Sequence, residues 1–333
     1  MTTTIPSIPM AAAIPSTLIL LILLSTTSEA KLSLDYYKST CPKALDIISS
    51  AVVNKQINNP TTAAATVRLF FHDCFVGGCD ASVLITSNSF NRAERDADIN
   101  LSLPGDAFDG IVRAKSALEL SCPGIVSCAD ILAVATRDLI SMVGGPFYPV
   151  RLGRKDSFIS KSTLVEGNLP RPTMSVPQMI DLFSKKGFTV QEMVALSGAH
   201  TIGFSHCKEF AARINGSVVS PSLNPRYAEG LKKACANYKS DSTIAVFNDV
   251  MTHNKFDNMY FQNLPRGLGL LASDEGMLSD PRTAPFVRLY AMNQTAFFDD
   301  FVHAMEKLSV YGVKTGRRGE VRRRCDEFNN LTT

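Results

Sequence analysis

RLFFHDCFVGGCDAS, residues 68–82, is more informative than any other stretch of this 333-residue chain. Arg68 and His72 are four residues apart, so on a helix their side chains lie on one face, where neighbours at this spacing meet. A guanidinium beside an imidazole can take a proton from a small acid, return it to a leaving group and stabilise the negative charge that develops. Peroxide cleavage needs such a pair. The spacing is equally typical of a buried histidine paired with Asp73 on a core helix.

The same stretch contains two of the eight cysteines, separated by a loop with two glycines at 77 and 78. This loop can bring Cys74 and Cys79 together. All eight follow an apolar leader, and an even count behind a secretory signal predicts four disulfides, although most pairings stay open. No CxxC pair with a matching histidine pair appears, which disfavours a zinc site. The cysteines are Cys41, Cys74, Cys79, Cys122, Cys128, Cys207, Cys235 and Cys325.

The leader has the length of a signal-peptide core and is too short to span a bilayer. Residues 11–24 are apolar apart from Ser16 and Thr17, and small residues around Ala30 favour cleavage after that position. We therefore expect a signal peptide at 1–30 and a mature chain at 31–333. No later stretch is long and apolar enough for a membrane span.

The charge balance gives no argument for nucleic-acid binding. The full chain carries a net charge of +3, and without the leader, whose one charged residue is Glu29, it would carry +4. Basic residues are dense only at 317–318 and 322–324. They are most simply a solvated surface, although they could hold the protein to an acidic polysaccharide.

Helical periodicity dominates the chain, and strand-like alternation is scarce, so the predicted class is mainly α. The length alone is equally typical of one large domain with two lobes and of two domains. Apolar stripes predict helices over 107–120, 127–142, 176–185, 191–196, 284–290 and 295–308.

A second histidine lies in LSGAHTIG, residues 196–203, where a Ser-Gly break suggests that a new helix begins near His200. A lone histidine on an apolar segment is more often core than ligand. His206 is a competitor, but six helical residues would rotate it off the face of His200. His253, in a loop-like run, and His303, on an amphipathic helix, are expected to be structural or exposed.

The sequence resembles the class III plant secretory peroxidases, which are mainly helical haem enzymes. The resemblance extends from Tyr36 to Cys325 and rests on motifs that occur in the family order, together with the eight cysteines. After Tyr36-Tyr37-x3-Cys41-Pro42 these are the stretch at 68–82, VSCADIL (126–132), LGRKD (152–156), NLPRP (168–172), LSGAHTIG (196–203), KFDNMYF (255–261) and LLASD (270–274). It implies a two-lobed fold with one haem b sandwiched between distal and proximal helical halves.

The resemblance implies a role for each residue around the haem. His200 would be the axial iron ligand, and Asp274 would accept the other ring N–H of His200, which fixes its tautomer. On the distal side, His72 and Arg68 would act on hydrogen peroxide. The other implied positions are Asn100, which orients His72, Glu94, whose carboxylate supports Asn100, Phe71, which covers the haem face, and Pro170, at the donor site.

The resemblance also implies two calcium sites made of oxygen donors. The distal site would use Asp73, the Val76 and Gly78 carbonyls, Asp80 and Ser82. The proximal site would use Thr201, Asp249, Thr252, the Lys255 carbonyl and Asp257. The implied disulfides are Cys41–Cys122, Cys74–Cys79, Cys128–Cys325 and Cys207–Cys235, and Asp130 and Arg154 would form a buried ion pair.

The donor site departs from well-studied relatives, whose haem edge is surrounded by phenylalanines. Asp98, Thr173 and Glu209 occupy the aligned positions here, with Arg171 beside Pro170. We expect a polar mouth that binds small phenols weakly and without selectivity. Sequons occur at 100, 215, 293 and 330, and a position inside the haem pocket could not carry a glycan.

The leading hypothesis is a secreted, monomeric peroxidase of the apoplast or cell wall that reduces hydrogen peroxide and oxidises two small phenolic donors by one electron each. An alternative is a calcium- and disulfide-stabilised wall-binding protein with little turnover. The intact set of Arg68, His72, His200 and Asp274 disfavours that alternative. An intracellular ascorbate- or catalase-type peroxidase conflicts with the leader and the cysteines.

Overall fold

The computed structural model of the chain describes residues 1–2, 31–215, 220 and 222–329. The predicted signal peptide, beyond its first two residues, lies outside the described residues. Helices dominate the described part, and no helix there is long and apolar enough to cross a membrane. The helices are α1 (Ala44–Asn58), α2 (Thr62–Val76), α3 (Gly105–Ser121), α4 (Cys128–Met142), α5 (Val176–Lys185), α6 (Val190–Ser197), α7 (Ala211–Asn215), α8 (Pro225–Ala234), α9 (Met259–Asn263), α10 (Ala272–Ser279), α11 (Ala284–Met292) and α12 (Gln294–Ser309).

The described residues form one small sheet beside these helices. Strand β1 (Phe204–His206) pairs antiparallel with β2 (Ala245–Phe247), and Phe204 lies opposite Phe247. The mainly α class is confirmed.

All six predicted helices are confirmed, with boundaries that differ by at most a few residues. Local capping explains why α6 begins where it does. The Thr189 hydroxyl accepts a hydrogen bond from the Glu192 N–H, and the Glu192 carboxylate accepts one from the Thr189 N–H. This reciprocal capping box satisfies two amide groups that have no partner within the helix.

Two groups of helices surround the core. In the first, α1 packs on α3 and α4, and α2 packs on the same two helices. In the second, α12 packs on α6 and α11, while α11 packs on α9. Helix α2 also contacts α12, so the two groups meet along α2, the helix that contains Arg68 and His72.

A buried ion pair fastens α4 to the following loop. The Arg154 guanidinium donates to the Asp130 carboxylate at 2.8 Å, and both side chains are fully buried. Asp130 also accepts from the Tyr37 hydroxyl at 2.7 Å, while Arg154 donates to the Ser309 carbonyl at the end of α12. The further hydrogen bonds are what makes a buried pair tolerable, because each charge would otherwise lose its solvation.

The four disulfides of the structure are those that the family resemblance implied. Cys74–Cys79 closes the loop after α2, and Cys128–Cys325 ties the start of α4 to the C-terminal segment. The other two are Cys41–Cys122 and Cys207–Cys235.

One expectation for the C-terminal basic residues is wrong. Arg322 is fully buried, not solvated, and donates to the carbonyls of Ala81 and Ser157. Arg317, Arg318, Arg323 and Arg324 are exposed as predicted. The sequence could not distinguish Arg322, because the carbonyls that bind it lie more than 160 residues away along the chain.

Candidate functional site

Helix α2 places Arg68 and His72 on the wall of one cavity, which confirms the face predicted from their spacing. Asp73 does not pair with His72. Its carboxylate instead accepts hydrogen bonds from the N–H groups of Asp80 and Ala81, at 3.1 and 2.9 Å. The alternative of a structural His–Asp pair on a core helix is therefore not what the structure contains.

His72 is held in one tautomer by Asn100. Its Nδ1 lies 2.6 Å from the Asn100 Oδ1, and the Asn100 Nδ2 donates to the Glu94 carbonyl at 2.8 Å. Because Oδ1 can only accept, Nδ1 carries the proton and Nε2 keeps its lone pair. Burial, together with the positive charge of Arg68, lowers the pKa of His72 to about 3. The imidazole is thus neutral and able to accept a proton at ordinary pH.

Glu94 supports Asn100 differently from the sequence expectation. The supporting group is its main-chain carbonyl, whereas its carboxylate accepts a hydrogen bond from the Ser82 hydroxyl at 3.0 Å. Burial, and then the charge of Asp80, raises the pKa of Glu94 to about 8. The sequence cannot separate these two functions, because a residue's carbonyl and carboxylate share one position in the chain.

The Arg68 guanidinium is anchored by a loop that the sequence did not single out. It donates to the carbonyl and hydroxyl oxygens of Ser102, both at 2.9 Å, and to the Ile99 carbonyl at 3.3 Å. Burial lowers the pKa of Arg68 to about 10, so the group remains a cation at neutral pH. Ser102 follows 34 residues later in no recognisable motif, which is why sequence reasoning missed it.

His200 lies on the same cavity and pairs with Asp274, as the resemblance implied. Its Nδ1 is 3.0 Å from the Asp274 Oδ1; the imidazole is 41 % exposed, and the carboxylate behind it 3 %. Burial opposes the positive charge of His200, but the attraction and hydrogen bond of Asp274 outweigh it and raise the pKa. With Nδ1 donating to Asp274, the Nε2 is the ring atom left to bind a ligand.

The segment around His200 differs from the expected helix start. His200 follows α6 directly, in a short 3₁₀ turn at Gly198–Thr201. The chain then becomes strand β1, which contains His206. Contrary to our expectation, His206 is therefore not rotated away from His200 by a helix, and it lines the same cavity. His253 stacks on Phe247, and the His303 side chain is 75 % exposed.

The cavity combines apolar walls with two imidazoles, which are the features that a bound porphyrin needs. His72 and His200 line it together, between largely apolar walls. Phe71, which also lines it, stacks on Phe75 with ring centroids 4.6 Å apart. The other apolar lining residues include Met179, Phe183, Leu196, Ile202, Leu271 and Met305. A haem with one axial imidazole fits this donor set, and the second imidazole would remain for acid–base chemistry.

An oxygen-rich cluster follows α2, at the predicted distal calcium position. The Asp80 carboxylate accepts from the Ser82 N–H at 3.2 Å, and the Asp73 carboxylate accepts from the Val83 N–H at 3.3 Å. Burial, and then the charge of Asp80, raises the pKa of Asp73 well above its usual value. Two buried carboxylates whose charges act on each other fit a divalent cation. Val76 ends α2, and Gly78 lies in the same turn.

A second cluster lies just beyond His200. The Thr252 hydroxyl oxygen lies within hydrogen-bond distance of both Asp249 and Asp257, at 3.2 and 3.1 Å, and the Thr201 hydroxyl donates to Asp257 at 3.4 Å. These are four of the five predicted proximal ligands; the fifth, Lys255, directs its ammonium to within 3.7 Å of Asp257.

Within the described residues, no three His, Cys, Asp or Glu side chains form a metal-binding group by themselves. Calcium does not require such a group, because carbonyl and hydroxyl oxygens complete its coordination. A calcium ion at either cluster would therefore need main-chain and hydroxyl oxygens as well as the two carboxylates.

The mouth of the cavity is charged, as the departures from the family pattern predicted. Arg171, next to Pro170, donates to Glu166 at 2.7 Å and to Asp98 at 3.4 Å. Arg171, Pro170 and Asp98 line the cavity, whereas Glu166 does not. Glu209 lies 3.7 Å from its neighbour Lys208 at the same opening. Sequence reasoning missed Glu166, because it precedes the NLPRP motif in a loop without a signature of its own.

Comparisons with known proteins agree with this geometry. A sequence profile of the family described as "Peroxidase" matches residues 48–293. The chain is 64 % identical to Peroxidase 63 of Arabidopsis thaliana, over 94 % of this chain and 97 % of the relative, and 64 % identical to Peroxidase 31 of the same plant, over 94 % and 98 %. It is also 46 % identical to Peroxidase 55, over 91 % of this chain and 92 % of that protein.

Proposed function

Since this chain belongs to the peroxidase family, among the class III plant peroxidases, and is itself a peroxidase, we propose that it uses one haem b in the cavity between His72 and His200. Its reaction reduces hydrogen peroxide to two waters, while two small phenolic donors each lose one electron and one proton. One observation carries this proposal: both imidazoles line one cavity, and each has its Nδ1 engaged by a neighbouring side chain.

The distal residues supply the proton chemistry. His72 accepts a proton from hydrogen peroxide at Nε2 and returns it to the departing oxygen, since Asn100 keeps Nδ1 protonated throughout. The Arg68 cation stabilises the negative charge that develops as the O–O bond breaks. Ser102 and Ile99 hold that guanidinium at the cavity wall, so its charge needs little reorganisation.

The proximal residues hold the cofactor. His200 would bind the iron through Nε2, and bound haem supplies the redox chemistry. Asp274 fixes the His200 tautomer and increases the electron density on the imidazole.

Two calcium ions would brace these two halves. The distal ion would use Asp73, the Val76 and Gly78 carbonyls, Asp80 and Ser82. The proximal ion would use Thr201, Asp249, Thr252, the Lys255 carbonyl and Asp257. Thr201 is the residue after His200, so an ion there would also restrain the iron ligand.

Donors would reach the haem at the mouth beside Pro170. The charged side chains of Asp98, Arg171 and Glu209 leave little apolar area for a bulky phenol there. We therefore propose weak binding of small phenols. The leader, the four disulfides and the resemblance support a mature domain of residues 31–333, secreted as a monomer to the apoplast or wall. The exposed arginines near residues 317–324 could contact acidic polysaccharide.

The test compares two histidine variants of the purified holoenzyme. His72→Ala should slow the reaction with hydrogen peroxide by about a hundred- to ten-thousand-fold, the usual worth of positioned proton transfer. His303→Ala, which changes an exposed histidine, should behave like the wild type. A Soret band together with peroxide-dependent guaiacol oxidation supports the proposal. A colourless protein that takes up no added hemin would refute it, as would wild-type kinetics in His72→Ala.

A further inference from the structure

We propose that Lys314 is a built-in cation that competes with calcium at the distal cluster, so that it weakens calcium binding there and stabilises the calcium-free loop. This inference rests on the proposed distal calcium site and assigns a function to a residue outside every motif of the sequence.

The Lys314 ammonium lies against the loop that would supply the calcium ligands. Its Nζ is 3.5 Å from the Asp80 Oδ2, and it donates to the carbonyls of Gly77 at 3.2 Å and Gly312 at 3.4 Å. Gly77 lies between Val76 and Gly78, whose carbonyls are proposed ligands. An ammonium has three N–H donors, and three oxygen atoms surround this one.

The backbone fixes Lys314 at this place. Its carbonyl accepts from the Lys155 N–H at 2.8 Å, and the Cys79 N–H donates to the Tyr311 carbonyl at 3.0 Å. Gly78 and Gly312 are in such close contact that a Cβ on Gly78 would clash with the Gly312 carbonyl oxygen. The segment 311–314 is therefore packed directly on the distal loop, and this packing keeps Lys314 beside Asp80.

Lys314 should weaken the binding of calcium at the distal cluster. A lysine that shares Asp80 with a divalent cation repels that cation, and the repulsion is moderated by solvent because the Lys314 side chain is 31 % exposed. A group that favours the metal-free state weakens metal binding by the same factor. Lys314 therefore makes the distal calcium exchangeable while protecting the loop when calcium leaves.

The experiment measures calcium affinity and thermal stability of the holoenzyme together. Lys314→Met should bind the distal calcium about tenfold more tightly than the wild type, as a partly screened charge predicts. Its Tm in chelator should fall, whereas its Tm in saturating calcium should not, so calcium should raise Tm by more than in the wild type. Isothermal titration of the chelated protein gives the affinity, and calorimetric scans give Tm.

Three control variants separate the possible failures. Lys314→Arg keeps the charge and should keep the wild-type affinity within about twofold, and Lys239→Met removes an exposed lysine elsewhere and should also change nothing. Asp80→Asn should remove one ion from the titration. If the wild type binds no ion that Asp80→Asn removes, the distal calcium site itself is wrong, and the function of Lys314 with it. If that ion is present but Lys314→Met binds it no more tightly than the wild type, only the Lys314 inference is overturned.

Discussion

The Asn100 Oδ1 accepts the Nδ1 proton of His72 at 2.6 Å, while the other end of the same amide is bound to the Glu94 carbonyl. Asn100 thus fixes the tautomer of His72, a base that lies 28 residues away along the chain. Both polar atoms of the Asn100 amide are therefore already bonded within the protein.

Loss of the Asn100 amide should slow the proton transfer without removing the base. In Asn100→Ala, His72 no longer has an acceptor for Nδ1–H, so its tautomer is not fixed. We expect the rate constant for hydrogen peroxide, measured by stopped-flow absorbance, to fall by about ten- to a hundred-fold, the usual worth of an orienting partner. Asn54→Ala, at an exposed position of α1, is the control. Equal rates in both variants would contradict the orienting function of Asn100.

Glycan mapping should distinguish the buried sequon at Asn100 from the exposed one at Asn293. Asn100 is 2 % exposed and both its amide atoms are bonded, so we expect its tryptic peptide to be unmodified in protein from a plant secretory host. Asn293 is exposed at the start of α12, where its Oδ1 caps the helix and its nitrogen is the site of attachment. A glycan on Asn100 would disprove its place beside His72.

Glu192 should contribute to stability in a pH-dependent way. Burial alone would raise the pKa of this carboxyl, but the hydrogen bonds from Lys307 and the Thr189 N–H outweigh it and lower the pKa. A lowered pKa stabilises the fold above the unfolded value, here 4.5, and this contribution is lost as the pH falls through the folded pKa.

We therefore expect Glu192→Gln to lower the free energy of unfolding by about 1 kcal/mol at pH 7, and by less at pH 4. Urea titrations at the two pH values measure this. Asp181→Asn is the control, because Asp181 forms an exposed pair with Lys185, and such pairs contribute little. A loss that is equal at both pH values would mean that the charge of Glu192 is not involved.

Removal of calcium should weaken the fold and the cofactor site together. The proximal cluster includes Thr201, next to His200, and the distal cluster includes Ser82, whose hydroxyl is bonded to Glu94. After chelation we expect Tm to fall and haem to transfer more readily to apomyoglobin, and both changes should reverse on addition of calcium. An unchanged Tm and Soret band after verified removal of both ions would show that neither ion braces the structure.

An aromatic residue at the mouth should improve donor binding. Glu209→Phe replaces a carboxylate with apolar area, and about 1.4 kcal/mol of added burial corresponds to a tenfold change in binding. We expect the KM for guaiacol to fall by roughly three- to tenfold, with kcat changed little. Thr173→Ser, a polar substitution next to Pro172 of the cavity lining, is the control. Tight binding of benzhydroxamate to the unmodified protein would contradict the polar mouth.

The sequence predicted the parts of this molecule that depend on local pattern. The extents of α5 and α12 follow from apolar periodicity, and α2, on which Arg68 and His72 share one face, agrees with their four-residue spacing. The Asn100 and Asp274 contacts were expected only through resemblance to a family, because nothing local connects them to the two histidines.

Other features could not be read from the chain, because they depend on partners far apart along it. Ser102 binds Arg68 through a loop without a motif, and Arg322 is buried by carbonyls supplied by two distant loops. The turn at His200 was predicted as the start of a helix, since a Ser-Gly pair can start or end one. Apolar periodicity cannot distinguish a helix start from a helix end here, because the choice depends on how the segment packs against the cavity.

The C-terminal segment completes the half of the molecule that comes first in the sequence. Cys325 bonds to Cys128, Arg322 holds the Ala81 carbonyl, and Gly312 packs on Gly78. The loop after α2 is synthesised before these residues, so these contacts can form only after residues 312–325 have been made. The acid–base side of the cavity should therefore be among the last parts of the fold to form.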